Sequence, residues 1–359
     1  MCTSPMLMYY NLKEHKYQIN DSPDCDINRA IWVACGKCYE CKKARKSNYT
    51  VRARAEYSKY GSQRCFLLNL TVNDFCLDRV FPKGQLDHTE FQKFMKRFRK
   101  KLETHISKDV KIKYICGAEY GEDNGRPHFH VIVYGWKPED LKRWTSSQKG
   151  FKQYRSQFIE ECWRDVEIEK DKKALKKQLK EFKEKYPNMK KANGEDYDYI
   201  PLGMVTLGEV YESTVSYVTK YVVKNCDIPK EEYFDEETGE IIRKPYVVFP
   251  REMLGYSWFL ENYKNLLRLG YCTTKYGKCA IPKNWINKAL ESDDEDLVKA
   301  VELYQNEREL YFAEVYRDLY NQGYTTKISM YYKVLEEGKE RRETYKNWQR
   351  QNTNSVKKI

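Results

Sequence analysis

Two of the five histidines in this chain stand two residues apart, in His128-Phe129-His130. On a strand, residues two apart share a face. Both imidazoles then point one way and Phe129 points the other, into a core. Such a pair can hold one metal ion. If residues 120–127 form the loop of an antiparallel hairpin, Glu119 stands opposite His128 and on the same face. Two imidazoles and a carboxylate leave coordination positions open. That set accepts Mg²⁺ or Mn²⁺ in a cell and Zn²⁺ in vitro, and it also matches a non-haem iron oxygenase. The plain alternative is a pair of surface histidines on a strand.

A second group lies in Ser216-Tyr-Val-Thr-Lys-Tyr-Val-Val-Lys224. On a helix, Tyr217 and Tyr221 are one turn apart on one face. Lys224 shares that face, and Lys220 flanks Tyr217. A phenol has a reference pKa of about 10, so only roughly 0.1 % is phenolate at neutral pH. Attack on a phosphodiester therefore needs a cation at the phosphate, or a lysine that favours the phenolate. Taken alone, two tyrosines at this spacing are equally well read as packing residues. A third group, Cys35-Gly-Lys-Cys38-Tyr-Glu-Cys41, has overlapping Cys-x2-Cys spacings that let thiolates converge on a structural zinc. A fourth ligand must come from elsewhere; Cys2, Cys25 and His15 are candidates. The alternative is a set of reduced thiols in a basic loop.

The elements that must position these groups are legible in the periodicity. Residues 65–72 and 111–119 read as strands, and His128–Tyr134 as a third with Phe129, Val131 and Val133 on one face. Gly121–Pro127 reads as a turn. Thr89–Leu102 reads as an amphipathic helix whose stripe is Phe91, Phe94, Met95, Phe98 and Leu102. Residues 137–200 read as a largely helical insertion, and 209–223 as the helix bearing the tyrosines. Residues 229–245 form an acidic link. From about Asp293 the chain reads as helical, with Leu297, Val301, Tyr304, Tyr311, Val315 and Leu319 on one face.

Composition narrows the partner. The 359 residues carry a net charge of +12. Residues 37–54, 93–101 and 170–191 hold +6, +6 and +7, leaving −7 for the rest. Such localised charge, with 31 tyrosines often beside lysines, suits unpaired nucleic acid. No apolar run reaches membrane-spanning length, and no secretory leader is visible. The twelve cysteines read as thiols or ligands of an intracellular protein. There is no Gly-x-x-x-x-Gly-Lys-Ser/Thr loop, so no ATP-driven unwinding is expected.

These motifs together resemble the HUH endonuclease superfamily, and within it the replication initiation proteins of microviruses, especially the gokushovirus branch. The likeness covers most of residues 1–285. It rests on Phe66-Leu-Leu-Asn-Leu-Thr-Val72, where Asn69 replaces a usual threonine, and on Gly117-Ala-Glu-Tyr-Gly121 with Gly125-Arg-Pro-His-Phe-His130. It also rests on Tyr217-Val-Thr-Lys-Tyr-Val-Val-Lys224, and more weakly on Pro250–Gly255 and Ile281–Trp285. The resemblance implies an α+β fold, a five-stranded antiparallel sheet flanked by helices. The domains expected are a cysteine-bearing basic segment (1–60), a nuclease domain (61–228) and a mostly helical C-terminal region (229–359).

It implies that His128, His130 and Glu119 bind Mg²⁺ or Mn²⁺, and that Tyr217 and Tyr221 are nucleophiles assisted by Lys220 and Lys224. The Met-Cys-x-x-Pro opening favours Cys2 as fourth zinc ligand beside Cys35, Cys38 and Cys41. Lys42, Lys43, Arg45, Lys46, Asn69, Thr71 and Arg126 are expected to contact DNA. The implied activity is nicking single-stranded phage DNA at an origin, leaving a 5′-phosphotyrosine and a free 3′-hydroxyl for rolling-circle replication. The displaced strand is then rejoined in the cytoplasm of a bacterial host, with a host helicase and replication machinery as partners. The competing classes are a non-catalytic single-stranded DNA-binding protein on the same fold, and a metalloenzyme acting on something other than DNA.

Overall fold

The computed structural model describes residues 2, 4–121, 125–146, 150–224, 232–234, 241–243, 246–248, 253–274 and 277–356. Strands and helices are numbered along the chain. The N-terminal part holds β1 (Met6–Asn11), β2 (Lys16–Gln18), β3 (Cys25–Val33) and α1 (Tyr39–Tyr60). Next come β4 (Cys65–Thr71), the one-turn α2 (Leu77–Val80), α3 (His88–His105), β5 (Lys113–Tyr120) and β6 (Pro127–Tyr134). These are followed by β7 (Lys142–Ser146), β8 (Lys152–Arg155), the short α4 (Gln157–Glu160) and α5 (Val166–Glu169), and α6 (Lys172–Lys185). Then follow β9 (Val205–Gly208), α7 (Glu212–Lys224), β10 (Glu232–Phe234), β11 (Ile241–Arg243) and β12 (Tyr246–Val248). The last elements are α8 (Tyr256–Leu269), β13 (Cys272–Thr274), β14 (Gly277–Cys279), α9 (Lys283–Leu290), α10 (Glu295–Asn321) and α11 (Lys327–Val356). The chain divides into two units, one of residues 1–48 with 263–359, the other of residues 49–262.

The second unit is built on an antiparallel sheet of seven strands in the order β12-β5-β6-β4-β9-β8-β7. Alternation divides its residues between two apolar faces. On one, Leu68, Leu70, Cys116, Ala118, Phe129, Val131, Val133, Val205 and Leu207 pack with the α3 stripe of Phe91, Phe94, Met95, Phe98 and Leu102. Phe129 stacks on Phe91 at 5.7 Å and meets Trp163 edge-on at 5.8 Å. α3 starts where the Asp87 carboxylate accepts from the Thr89 N–H at 2.8 Å. On the other face Cys65, Ile115, Ile132 and Tyr134 pack under Ala53 of α1 and Val215 and Val218 of α7.

This burial sets the register. Sliding β6 by one residue would drive both histidines into the aromatic core and expel Phe129.

The antiparallel sheet with flanking helices matches the expected class, but it has seven strands where five were expected. Two of the additional strands correct the reading of residues 137–200 as largely helical. β7 and β8 extend the sheet from β9, while α6 supplies the expected lysine-rich helix. All five β7 residues are exposed, so no apolar alternation marked it in the sequence. The link 229–245 contains the β10–β11 pair, and its remainder lies outside the described residues.

In the first unit, β1 lies between β2 and β3 in a three-stranded sheet, and β13 pairs with β14. From residue 295 onward this unit is helical: Asp294 caps α10, and Leu319 of α10 packs with Met330 and Val334 of α11. Trp32 of β3 joins that cluster. Lys327 donates to the Ala30 carbonyl at 2.9 Å and the Tyr331 hydroxyl to that of Pro5 at 3.1 Å. Among the described residues no helix is long and apolar enough to cross a membrane.

Candidate active site and thiol cluster

The site-bearing residues lie on the α1/α7 face of the sheet, beyond the point where the apolar cluster ends. Glu119 pairs with His128 across β5 and β6, the register read from the sequence. Across β6 and β4, His130 pairs with Asn69 and His128 with Thr71. Five polar side chains from three adjacent strands thus share one patch.

His130 is held at both ring nitrogens. Its Nδ1 lies 2.8 Å from Asn69 Oδ1 and its Nε2 3.0 Å from Glu119 Oε1. With the amide oxygen accepting, Nδ1 carries the proton and the Nε2 lone pair faces the carboxylate. Asn69 is oriented in turn by its Nδ2 donating to Thr206 Oγ1 at 3.3 Å. Two ligand atoms about 3.0 Å apart match adjacent positions on an octahedral cation with bonds of about 2.1 Å.

His128 Nδ1 donates to the Arg126 carbonyl at 2.8 Å, which leaves Nε2 as its available donor. Burial pulls its pKa below the ordinary histidine range, opposed in part by that carbonyl. The neutral ring is the form that binds metal. Gly121 makes room for it: a Cβ there would lie 2.6 Å from His128 Cε1. The three side chains do not yet converge. Among the described residues, the only group of three or more His, Cys, Asp or Glu side chains with ligand atoms all within 4.8 Å is the thiol cluster described below.

α7 packs on β5 and β6. It brings the Tyr217 ring to 5.7 Å from the His130 ring, nearly perpendicular at 84°. Thr219, fully buried, donates to the Val215 carbonyl at 2.9 Å and lies 2.9 Å from the Thr50 hydroxyl of α1. This bond fixes the helix against α1. Lys220, Tyr221 and Lys224 belong to α7, but their side chains lie outside the described residues.

The expected DNA contacts fare differently. Thr71 Oγ1 accepts from the Met204 N–H at 2.9 Å and donates to its carbonyl at 3.2 Å, so it fastens β4. The Arg126 fork grips Asp74, with Nε at 3.0 Å and Nη2 at 3.1 Å from the two carboxylate oxygens. In α1, Lys43 and Arg45 are exposed and Lys42 and Lys46 half-buried, and Arg45 also donates to the Gly36 carbonyl at 3.4 Å. Sequence reasoning missed Gly121 and Thr206, neither of which carries chemistry of its own. A glycine at the rim of a His-x-His hairpin was the available signal for the first.

In the first unit the Sγ atoms of Cys2, Cys35, Cys38 and Cys41 lie within 4.8 Å of one another. Cys2 Sγ is 3.5 Å from Cys35 Sγ and 3.6 Å from Cys38 Sγ. Backbone N–H groups of Ser4 and Cys35 point at Cys2 Sγ, both at 3.4 Å, and that of Cys38 at Cys35 Sγ at 3.3 Å. Burial raises the pKa of Cys2 and, more strongly, that of Cys41. Cys25 instead contacts Ser22 and Gln18, both at 3.3 Å, and His15 lies outside the cluster. The eleven described cysteines are all free thiols.

Residues 65–226, from the start of β4 to just past α7, match the family model for the phage replication-associated protein ORF2. The chain is 29 % identical over 172 residues to replication-associated protein VP4 of Bdellovibrio phage phiMH2K. It is 32 % identical over 136 residues to replication-associated protein ORF4 of Chlamydia phage 1, and 28 % over 174 to replication-associated protein ORF2 of Spiroplasma virus 4. These matches take in 47 %, 37 % and 45 % of this chain, and 52 %, 32 % and 53 % of the relatives, so the chain spans about half or less of their lengths. No solved structure matches. The segment carrying both the histidine strand and the tyrosine helix, residues 65–226, belongs to this replication-associated protein family, and the chain is a relative of the replication-associated proteins of these small phages.

Proposed function

We propose that the chain is a replication initiator that nicks and rejoins single-stranded phage DNA by tyrosine attack. The observation that carries this is the Tyr217 ring set against His130, itself held by Asn69 and Glu119. His128, His130 and Glu119 would hold Mg²⁺ or Mn²⁺. The cation supplies charge neutralisation at the scissile phosphate. The chain's own groups do the rest. The phenol oxygen of Tyr217 or Tyr221 forms a bond to phosphorus, and the bond to the 3′-oxygen breaks. The phenolic proton goes to water and the leaving oxygen takes one up. Lys220 and Lys224 would steady the phosphate charge. The second tyrosine lets the enzyme stay attached at one end while it cuts the regenerated origin. The partners are origin DNA and a host helicase. The test is a denaturing gel of labelled single strands from the cognate genome with Mn²⁺. A metal-dependent protein–DNA adduct should form, survive in one or both single Tyr→Phe variants, and vanish in Tyr217→Phe/Tyr221→Phe and His128→Ala. Binding without any adduct in the wild type would leave the non-catalytic DNA-binding reading.

We also propose that Cys2, Cys35, Cys38 and Cys41 hold a structural zinc. Four sulfurs this close, with N–H groups aimed at them and no disulfide, fit tetrahedral thiolate ligation. Purified protein should contain one zinc per chain. Cys38→Ser should lose it and Cys25→Ser keep it; zinc-free wild type, or unchanged zinc in Cys38→Ser, would sink the assignment.

A further inference from the structure

The edge of the large sheet carries a second feature suited to DNA. Residues 142–155, the β7–β8 hairpin, contain Lys142, Arg143, Lys149, Lys152 and Arg155 and no acidic residue. Trp144 is 51 % exposed and Phe151 61 % exposed, within a strand pair whose outer member is solvent-facing throughout. Aromatic surface left in water on a sheet edge adds little burial to the fold. Arg155 is the one cation of the described set committed to the interior: its Nη2 meets Glu160 at 2.5 Å and the Lys190 carbonyl at 2.8 Å. Its guanidinium also lies 4.9 Å from the Trp144 ring and steadies that indole. Among the described residues no carboxylate lies within ion-pair distance of Lys142, Arg143 or Lys152. The lysine-rich helices differ here: Lys93, Lys101, Lys170, Lys183, Lys190 and Lys191 all have acidic partners. The hairpin is therefore a patch where positive charge and exposed aromatic surface coincide.

We propose that this hairpin is a stacking platform for unpaired bases of the strand held at the tyrosine site, Trp144 and Phe151 taking bases and Lys142, Arg143 and Lys152 the phosphates. The proposal rests on the nicking function proposed above. Unpaired bases offer their faces to aromatic rings, whereas duplex bases are already stacked on each other. β7 lies four inter-strand steps from β6 in the sheet order, about 19 Å at the usual strand spacing. A few extended nucleotides cover that distance, so the platform engages DNA flanking the reacting phosphate and not the phosphate itself.

The test uses the full chain and labelled oligothymidylates of about 16 and about 4 nucleotides, the range of known single-strand site sizes. Trp144→Ala/Phe151→Ala should bind the longer strand about 10- to 100-fold more weakly, as expected for losing base stacking. It should still form the covalent adduct on a short origin strand at the wild-type rate. Lys142→Ala/Arg143→Ala/Lys152→Ala should lower the log–log salt slope by about 2, at about 0.7 per phosphate contact. Unchanged affinity in the aromatic variant overturns the platform, and so does equal weakening on duplex and single strand. In either case adduct formation by the wild type leaves the nicking reading intact, and its absence is what removes that reading.

Discussion

Asn69 shows how one side chain can set the chemistry of another. It stands where the resembling family has a threonine, and the sequence placed it among DNA contacts. In the structure its amide oxygen faces His130 Nδ1 and its nitrogen reaches Thr206. A threonine hydroxyl, one bond shorter, would not span that gap without moving the strands. Groups that orient a ligating histidine contribute typically 10- to 100-fold to metal affinity. Asn69→Ala should weaken Mn²⁺ binding, followed by calorimetry, by roughly that factor. Gly121→Ala acts on the other histidine. A Cβ 2.6 Å from His128 Cε1 must push the ring off the Arg126 carbonyl. It should lower the Mn²⁺-dependent adduct yield while DNA affinity without metal stays at the wild-type value. If both variants bind Mn²⁺ as tightly as wild type, the His128–His130–Glu119 site is not where the cation sits.

At the scale of elements, α7 must be held still for Tyr217 to stay beside His130. Apolar packing of Val215 and Val218 supplies most of that hold, and the buried Thr50–Thr219 contact fixes the helix's rotation. Because Thr219 gives its proton to the Val215 carbonyl, Thr50 donates to Thr219. Thr219→Val keeps the shape but strands the Thr50 hydroxyl, which costs about 1–3 kcal/mol. Urea unfolding should show that loss, and Thr50→Val/Thr219→Val should recover part of it. A double variant less stable than the sum of the singles would mean the hydroxyls do not pair.

The same elements show how far sequence reading reaches. β4, α3, β5 and β6 were legible because each has one wet and one dry face, which writes a period of 2 or 3.6 into the residues. The pairing of Glu119 with His128 followed from the loop length alone. β7 and β8 were not legible, since an edge hairpin exposed along its outer strand has no dry face to alternate with. β9 was missed because its four residues are too short a run for periodicity. The placement of Tyr217 against His130 is a contact between segments 87 residues apart in sequence, and local pattern does not encode it.

At the scale of the molecule, the two units draw their stability from different sources. Residues 49–262 enclose a large aromatic and aliphatic core on both faces of one sheet. Residues 1–48 and 263–359 carry short strands and long helices with many exposed aromatics, among them Tyr311, Phe312, Tyr320 and Tyr332. The thiol cluster lies in this unit and joins residue 2, the turn after β3 and the first turn of α1. A zinc there ties three chain segments that share little apolar contact, and its binding free energy adds directly to the stability of that unit. Removing zinc with a chelator should therefore speed amide hydrogen exchange in β1, β3 and the start of α1. Exchange in β4, β5 and β6 should stay at its protected rate, because their burial does not depend on the thiols. Uniform acceleration in both units would show one cooperative fold, and no acceleration anywhere would show that the four thiols are not a structural metal site. The expected split, with adduct chemistry retained by the zinc-free protein on short strands, would separate what holds the N-terminal basic helix from what performs the reaction.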